Sequence, residues 1–215
     1  MFITFEGLDF CGKSTQVSLL EDYLIGNNRN VKIIREPGGT VISEKIRDVL
    51  LDKKNDKMFI ETEILLFSAA RAQLVREIIR PFLKQGYYVI SDRFYDSTIA
   101  YQGFGRSIPM EFVNNITQFA VGDTVPDITF FIDVPIEELE KRKNAKGSEE
   151  LDRIEVSKKS FYENVRKGYH HLAKTEKRFI LINGMLSIDE IHEIIVREVK
   201  MMEEMKGAEF DVKMD

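Results

Sequence analysis

Cysteine is nearly absent from this chain of 215 residues. Cys11 stands alone, so no internal disulfide can form, and a reducing compartment is expected. Long apolar runs are missing as well. None approaches the length that spans a bilayer, and the first apolar segment starts at Phe2, too early for a secretory leader, so the expected location is the cytoplasm. An excess of positive charge is also lacking. A formal net charge of −5 argues against a general nucleic-acid binder and leaves small anionic ligands, which need only a local basic pocket. No stretch reads as a linker or a repeat, and no Cys/His/Asp cluster has metal-ligand spacing; His170, His171 and His192 fall on predicted helices away from every motif. What remains, 43% hydrophobic and 31% charged, suffices for one α/β domain over 1–205. The tail 206–215 loses its apolar period and is expected to be mobile.

The most informative segment is Gly7-Leu8-Asp9-Phe10-Cys11-Gly12-Lys13-Ser14, which fits the phosphate-binding pattern G-x-x-x-x-G-K-[ST]. It lies between an apolar strand candidate, Phe2–Phe5, and an amphipathic helix candidate that begins near Lys13. In such a loop, backbone N–H groups turn inward, the helix N-terminus adds partial positive charge, Lys13 reaches the outer phosphates and Ser14 can hold Mg²⁺. Binding of a nucleoside triphosphate, with Gly7, Asp9, Phe10, Cys11, Gly12, Lys13, Ser14 and Thr15 around its phosphates, is the expectation. Cys11 reads as a small loop residue and not as a nucleophile, since no histidine lies near it in sequence.

Further strand candidates are Val31–Arg35, Tyr88–Ser91, Ile128–Ile132 and Phe179–Ile182, each followed by enough chain for a crossover helix, which predicts a parallel sheet covered on both faces. Ligands of such sheets sit beyond the strands' carboxyl ends. There the chain places the loop at Gly7, then Arg35-Glu36-Pro37-Gly38-Gly39, Asp92-Arg93-Phe94 and Asp133. A helix is predicted from about Ile60 to Arg80, ended by Pro81, with Ile60, Ile64, Phe67, Leu74 and Ile78 on one side. Arg71 projects from that stripe and needs a partner: either a planar base stacked on Phe67, or solvent or a glutamate. Lys141, Arg142, Lys143, Lys146 and Arg153 surround a polar stretch that suits a basic lid at about 142–153. Ser187 and Glu190 make a capping box before the stripe Ile188, Ile191, Ile195 and Val199.

With FITFEGLDFCGKSTQ, REPGGT, LLFSAAR, DRFYDSTIAYQG and LDRIE in order, the chain resembles the thymidylate kinase family from Phe2 to about Val199. The resemblance implies a three-layer P-loop kinase fold with a five-stranded parallel sheet in the order 2-3-1-4-5, and a homodimer built on helix packing. It implies transfer of the terminal phosphoryl of ATP to dTMP with Mg²⁺. By the same resemblance, Phe67 lies on the thymine ring, Arg71 meets a ring carbonyl, and Thr98 and Gln102 contact the base. Asp9 meets the deoxyribose hydroxyl, Arg47 and Arg93 grip the acceptor phosphate, and Glu36 helps to organise metal and water. Lys13 and Arg153 neutralise the moving phosphoryl, and Arg142 lies against adenine. Two positions depart from the pattern. Phe10 stands where one branch of the family carries an arginine, and Phe94 replaces a tyrosine common after Asp-Arg. The alternatives are a deoxynucleoside kinase, which would use Glu36 as a base, another pyrimidine monophosphate kinase, or a binding module without transfer activity. Arg47 and Arg93 disfavour a neutral acceptor, and no guanine-reading N-K-x-D motif is present.

Overall fold

A computed structural model of the chain describes residues 1–146, 152–154 and 158–211. Five strands, β1 (Phe2–Glu6), β2 (Val31–Arg35), β3 (Tyr88–Asp92), β4 (Ile128–Asp133) and β5 (Phe179–Asn183), form one parallel sheet in the order β2-β3-β1-β4-β5. Four of them run one residue past the apolar segments read from sequence, ending on Glu6, Asp92, Asp133 and Asn183. Those polar ends stand along the edge where a ligand of a parallel sheet is expected.

Period-two alternation sends successive side chains to opposite faces, so helices must cover both. Ile3 and Phe5 join a cluster with Leu20 and Leu24 of α1 (Lys13–Gly26) and Ile195 and Val199 of α9 (Ile188–Asp211). Phe2 joins a second cluster with Leu74, Ile79 and Ala120. Between these lie α2 (Val41–Leu51), α3 (Ile60–Leu74), α4 (Arg80–Lys84), α5 (Tyr95–Thr98), α6 (Met110–Val121), α7 (Ile136–Lys146) and α8 (Lys159–Thr175). The capping box forms: Ser187 N–H donates to Glu190 Oε2 at 2.8 Å, and Glu190 N–H to Ser187 Oγ at 3.2 Å.

The sequence reading needs correction at Pro81, which does not end the long helix. One wide turn, Val75–Ile79, follows α3, with the Arg80 N–H bonded to the Val75 carbonyl, and α4 continues through the proline. Widening the turn relieves the clash between the proline ring and the carbonyl one turn earlier. Ile60, assigned to the buried stripe, is exposed. A second wide turn, Ile99–Gly105, packs closely on α8 at Gly168, where a Cβ would come within 2.9 Å of the Ala100 Cα. That approach delivers the Tyr169 hydroxyl to the edge of the sheet. Helix α9 continues beyond the point where its apolar period fades. The last tail residues, 212–215, and the central part of the expected lid, 147–151, lie outside the described residues.

Candidate active site

Beyond the carboxyl ends of β1, β2 and β3 opens a cavity of about 580 Å³. Its floor is the loop between β1 and α1. Gly7 has φ 142, and a Cβ there would lie 2.7 Å from the Ile132 carbonyl oxygen, so only glycine lets the loop pass this close to β4. Phe10, with φ 67, and Gly12, with φ 99, bend the chain back into α1. Among the described residues no side chain caps that helix start, which leaves its first N–H groups for a ligand. Gly12, Lys13, Ser14 and Thr15 all line the cavity, as do Asp9 and Phe10. The Lys13 ammonium arches over the loop, donating to the carbonyls of Leu8 at 2.9 Å and Gly7 at 3.1 Å. Ser14 Oγ donates to Asp92 Oδ2 at 2.9 Å, so a hydroxyl and a carboxylate meet at the loop's mouth, a donor set of hard oxygens that suits Mg²⁺.

Arg93, with φ 71, turns its guanidinium into the centre of the cavity. One terminal nitrogen donates to the Gly7 carbonyl at 2.9 Å, Ser97 Oγ at 3.1 Å and the Tyr169 hydroxyl at 3.1 Å. The other donates to Asp9 Oδ1 at 2.6 Å and the Tyr101 hydroxyl at 3.2 Å. Burial disfavours charge on Asp9, yet the neighbouring Arg93 and Lys13 outweigh it and hold the carboxyl below its ordinary range.

At the far end, Phe67 and Arg71 of α3 lie one turn apart, and both line the cavity. Arg71 is 2% exposed and donates to Glu36 Oε2 at 2.7 Å, Thr98 Oγ1 at 2.8 Å and the Phe94 carbonyl at 3.3 Å. Of the options read from sequence, it takes the glutamate while keeping a place at the pocket wall. Gln102 and Thr98 line the same end. Arg47 lines the middle and donates to the Pro37 carbonyl at 2.7 Å; burial and the nearby Arg35 make its charge costly, which an anion would relieve. Arg142 closes the side nearest the loop, bonded to Glu138 and the Phe10 carbonyl. Six basic side chains face this space against four acidic ones, in a chain whose total charge is −5. The cavity therefore attracts anions although the chain as a whole is acidic.

Three residues named from sequence do not line the cavity. Gly7 shapes the loop from behind, and Cys11 is buried in the core. Arg153 is tied elsewhere, to Glu63 Oε2 at 2.7 Å and the Leu50 carbonyl at 2.7 Å. Conversely, Tyr101, Ser97 and Tyr169 were given no role in advance. Tyr101 and Ser97 lie inside the quoted segment around Arg93, but the wide turn shifts Tyr101 off regular helical phase. Tyr169 is far off in sequence and carries no local signal. Phe94 packs edge-on against Phe2 with ring centres 5.0 Å apart, in a site with no solvent for the hydroxyl of a tyrosine.

Burial, outweighing the Arg71 charge, lifts Glu36 from 4.5 to about 7. Between those values the unfolded chain has released this proton and the folded chain retains it, so rising pH costs stability. Glu36→Gln should therefore gain stability relative to wild type across that interval, by up to ~3 kcal/mol. Urea unfolding of both proteins at pH 5 and pH 8 measures it; a difference that does not change with pH contradicts the assignment.

The profile of the family described as Thymidylate kinase matches residues 5–195. A protein named Thymidylate kinase from Kosmotoga olearia is 47% identical, covering 92% of this chain and 94% of its own length. One of the same name from Thermosipho melanesiensis is 47% identical over 94% of this chain and 98% of its own. A third, from a Thermoanaerobacter species, is 45% identical over 93% and 97%. With its phosphate loop, parallel sheet order and cationic cavity, the chain belongs to the thymidylate kinase family.

Proposed function

We propose that the chain transfers the γ-phosphoryl of ATP to dTMP, giving dTDP and ADP, as part of the supply of dTTP. One observation carries this reading. A single cavity joins the phosphate loop to the Phe67–Arg71 pocket, with Arg47 and Arg93 between them, so a donor and an acceptor nucleotide fit end to end. Phe67 offers its ring to the thymine, Arg71, Thr98 and Gln102 offer polar edges, and Asp9 meets the sugar. Arg142 lies against the adenine. An acceptor phosphate oxygen is already anionic; it attacks the γ-phosphorus while the bond to the ADP oxygen breaks, and no proton need be removed. Lys13 and Arg93 then act by position and charge, since the transition state spreads negative charge over the peripheral oxygens. Ser14, with Asp92 nearby, would hold Mg²⁺, and Glu36 would help to order its water; the bound metal would supply further neutralisation.

Residues 1–205 act as one domain, in this reading, with a lid at about 142–153 from which Arg153 leaves Glu63 and swings toward the phosphoryl. The protein works in the cytoplasm, in keeping with its one buried, free cysteine; among the described residues no helix is long and apolar enough to cross a membrane. It works as a homodimer. Helices α2, α3 and α6 leave Val41, Leu65, Phe112 and Phe119 exposed, the last by 84%, more apolar surface than three packed helices of a monomer should show.

Purified protein with ATP and Mg²⁺ should form ADP with dTMP and not with thymidine. Equal turnover of thymidine would favour a nucleoside kinase. Arg153→Ala should lower kcat by roughly tenfold to a thousandfold with a much smaller change in the dTMP KM; an unchanged kcat removes the lid arginine from the reaction. Phe119→Asp should weaken self-association by roughly a hundredfold, by analogy with a buried aromatic anchor. Sedimentation reads this, and a wild-type monomer at micromolar concentration contradicts the dimer.

A further inference from the structure

The carboxylate of Glu63 has so far served only to anchor Arg153 at rest. It is 1% exposed on α3, one turn before Phe67. Its Oε1 accepts from Gln102 Nε2 at 3.0 Å and Arg106 Nε at 3.1 Å, and its Oε2 accepts from Arg153 at 2.7 Å and Arg106 at 3.2 Å. Burial works against its charge, but the bonds and charge of Arg106, with the bonds from Gln102 and Arg153, hold it below the ordinary carboxylate range. It is therefore ionised near neutral pH, and an ionised carboxylate only accepts hydrogen bonds.

That restriction passes to Gln102. Its amide must turn the NH₂ group toward Glu63, which leaves the carbonyl Oε1 for the cavity that Gln102 lines; among the described residues nothing donates to that oxygen. Beside it, Arg71 has five N–H groups and uses three on Glu36, Thr98 and Phe94. The base end of the cavity thus presents one fixed acceptor and a fixed donor. We propose that Glu63 is a specificity-determining positioning residue: by locking the Gln102 amide it selects pyrimidines with a ring N–H beside a carbonyl, thymine and uracil, against cytosine. Cytosine would set its bare ring nitrogen against Gln102 Oε1 and its amino group against Arg71. Each mismatch leaves buried polar groups unpaired. The inference rests on the reading of the acceptor as a pyrimidine monophosphate.

Glu63→Gln tests it. In the resting protein two charged donors, from Arg153 and Arg106, face the Oε2 side and one, the Arg106 Nε–H, faces the Oε1 side, so the new amide oxygen takes the Oε2 side and the new NH₂ faces Gln102 and turns that amide over. The ratio of kcat/KM for dCMP to that for dTMP should then rise by roughly tenfold or more. A merely structural Glu63 would lower both acceptors alike and leave the ratio fixed. Thermal melting establishes that the variant is folded; should it not be, Glu63→Gln combined with Arg106→Gln removes the charge pair together, and the same ratio is read. An unchanged ratio in the folded variant overturns the inference. A wild-type protein inactive on dTMP would instead overturn the functional reading itself, so the two failures are separable.

Discussion

The guanidinium of Arg93 holds the catalytic edge of the sheet together. It stands just after β3, in a left-handed backbone conformation, and reaches the phosphate loop through Gly7 and Asp9, the wide turn through Tyr101, and α8 through Tyr169. Beneath it sits Glu6, the last residue of β1, fully buried, which accepts from the Phe94 N–H, Ser97 and Tyr169. Burial, reinforced by the facing Asp96, lifts Glu6 to about 7. A cation with five partners on four segments cannot move without moving all of them. The shape of this edge is therefore set before any ligand arrives, the condition under which fixed charges act without reorganisation.

The same device recurs. Several arginines are countered by a buried or half-buried carboxylate: Arg71 by Glu36, Arg106 and Arg153 by Glu63, Arg178 by Asp96, Arg166 by Asp133. Pairs of this kind add little to stability, because desolvation offsets most of the Coulomb gain. Their effect is on geometry. A flexible arginine becomes a fixed array of donors, and an acidic chain can hold cations in place along one cleft.

The frame of this arrangement was open to reading in the sequence. The five strands announced themselves as short β-branched runs, and glycine spacing with Lys13 and Ser14 marked the loop, because backbone constraint is local and leaves a local trace. Arg71 was legible as an anomaly, an arginine amid apolar neighbours, although its partner Glu36 lies on another element. Two of the losses share a cause. A helix wheel assumes a constant 3.6 residues per turn, and the wide turns at Val75–Ile79 and Ile99–Gly105 break that assumption. The first hid the passage of the helix through Pro81, and the second hid Tyr101. Tyr169 and Glu63 act across the fold, and no window along the chain could have joined them to their partners.

The pairing of Glu36 with Arg71 also bears on which acceptor the cavity serves. A titration point near neutrality would suit a general base, as phosphorylation of a sugar hydroxyl requires. Yet burial keeps this carboxyl protonated up to about 7, and its Oε2 is bonded to Arg71 at 2.7 Å, so near neutral pH a sugar hydroxyl would meet a base that is only partly ionised. Asp9 is no better suited, since Arg93 and Lys13 hold its carboxyl below the ordinary range and make it a weak base. A phosphate acceptor asks for neither proton transfer nor a free carboxylate. It brings its own negative charge into a cavity that Arg47 and Arg93 line, where the proposed reading pairs it with them.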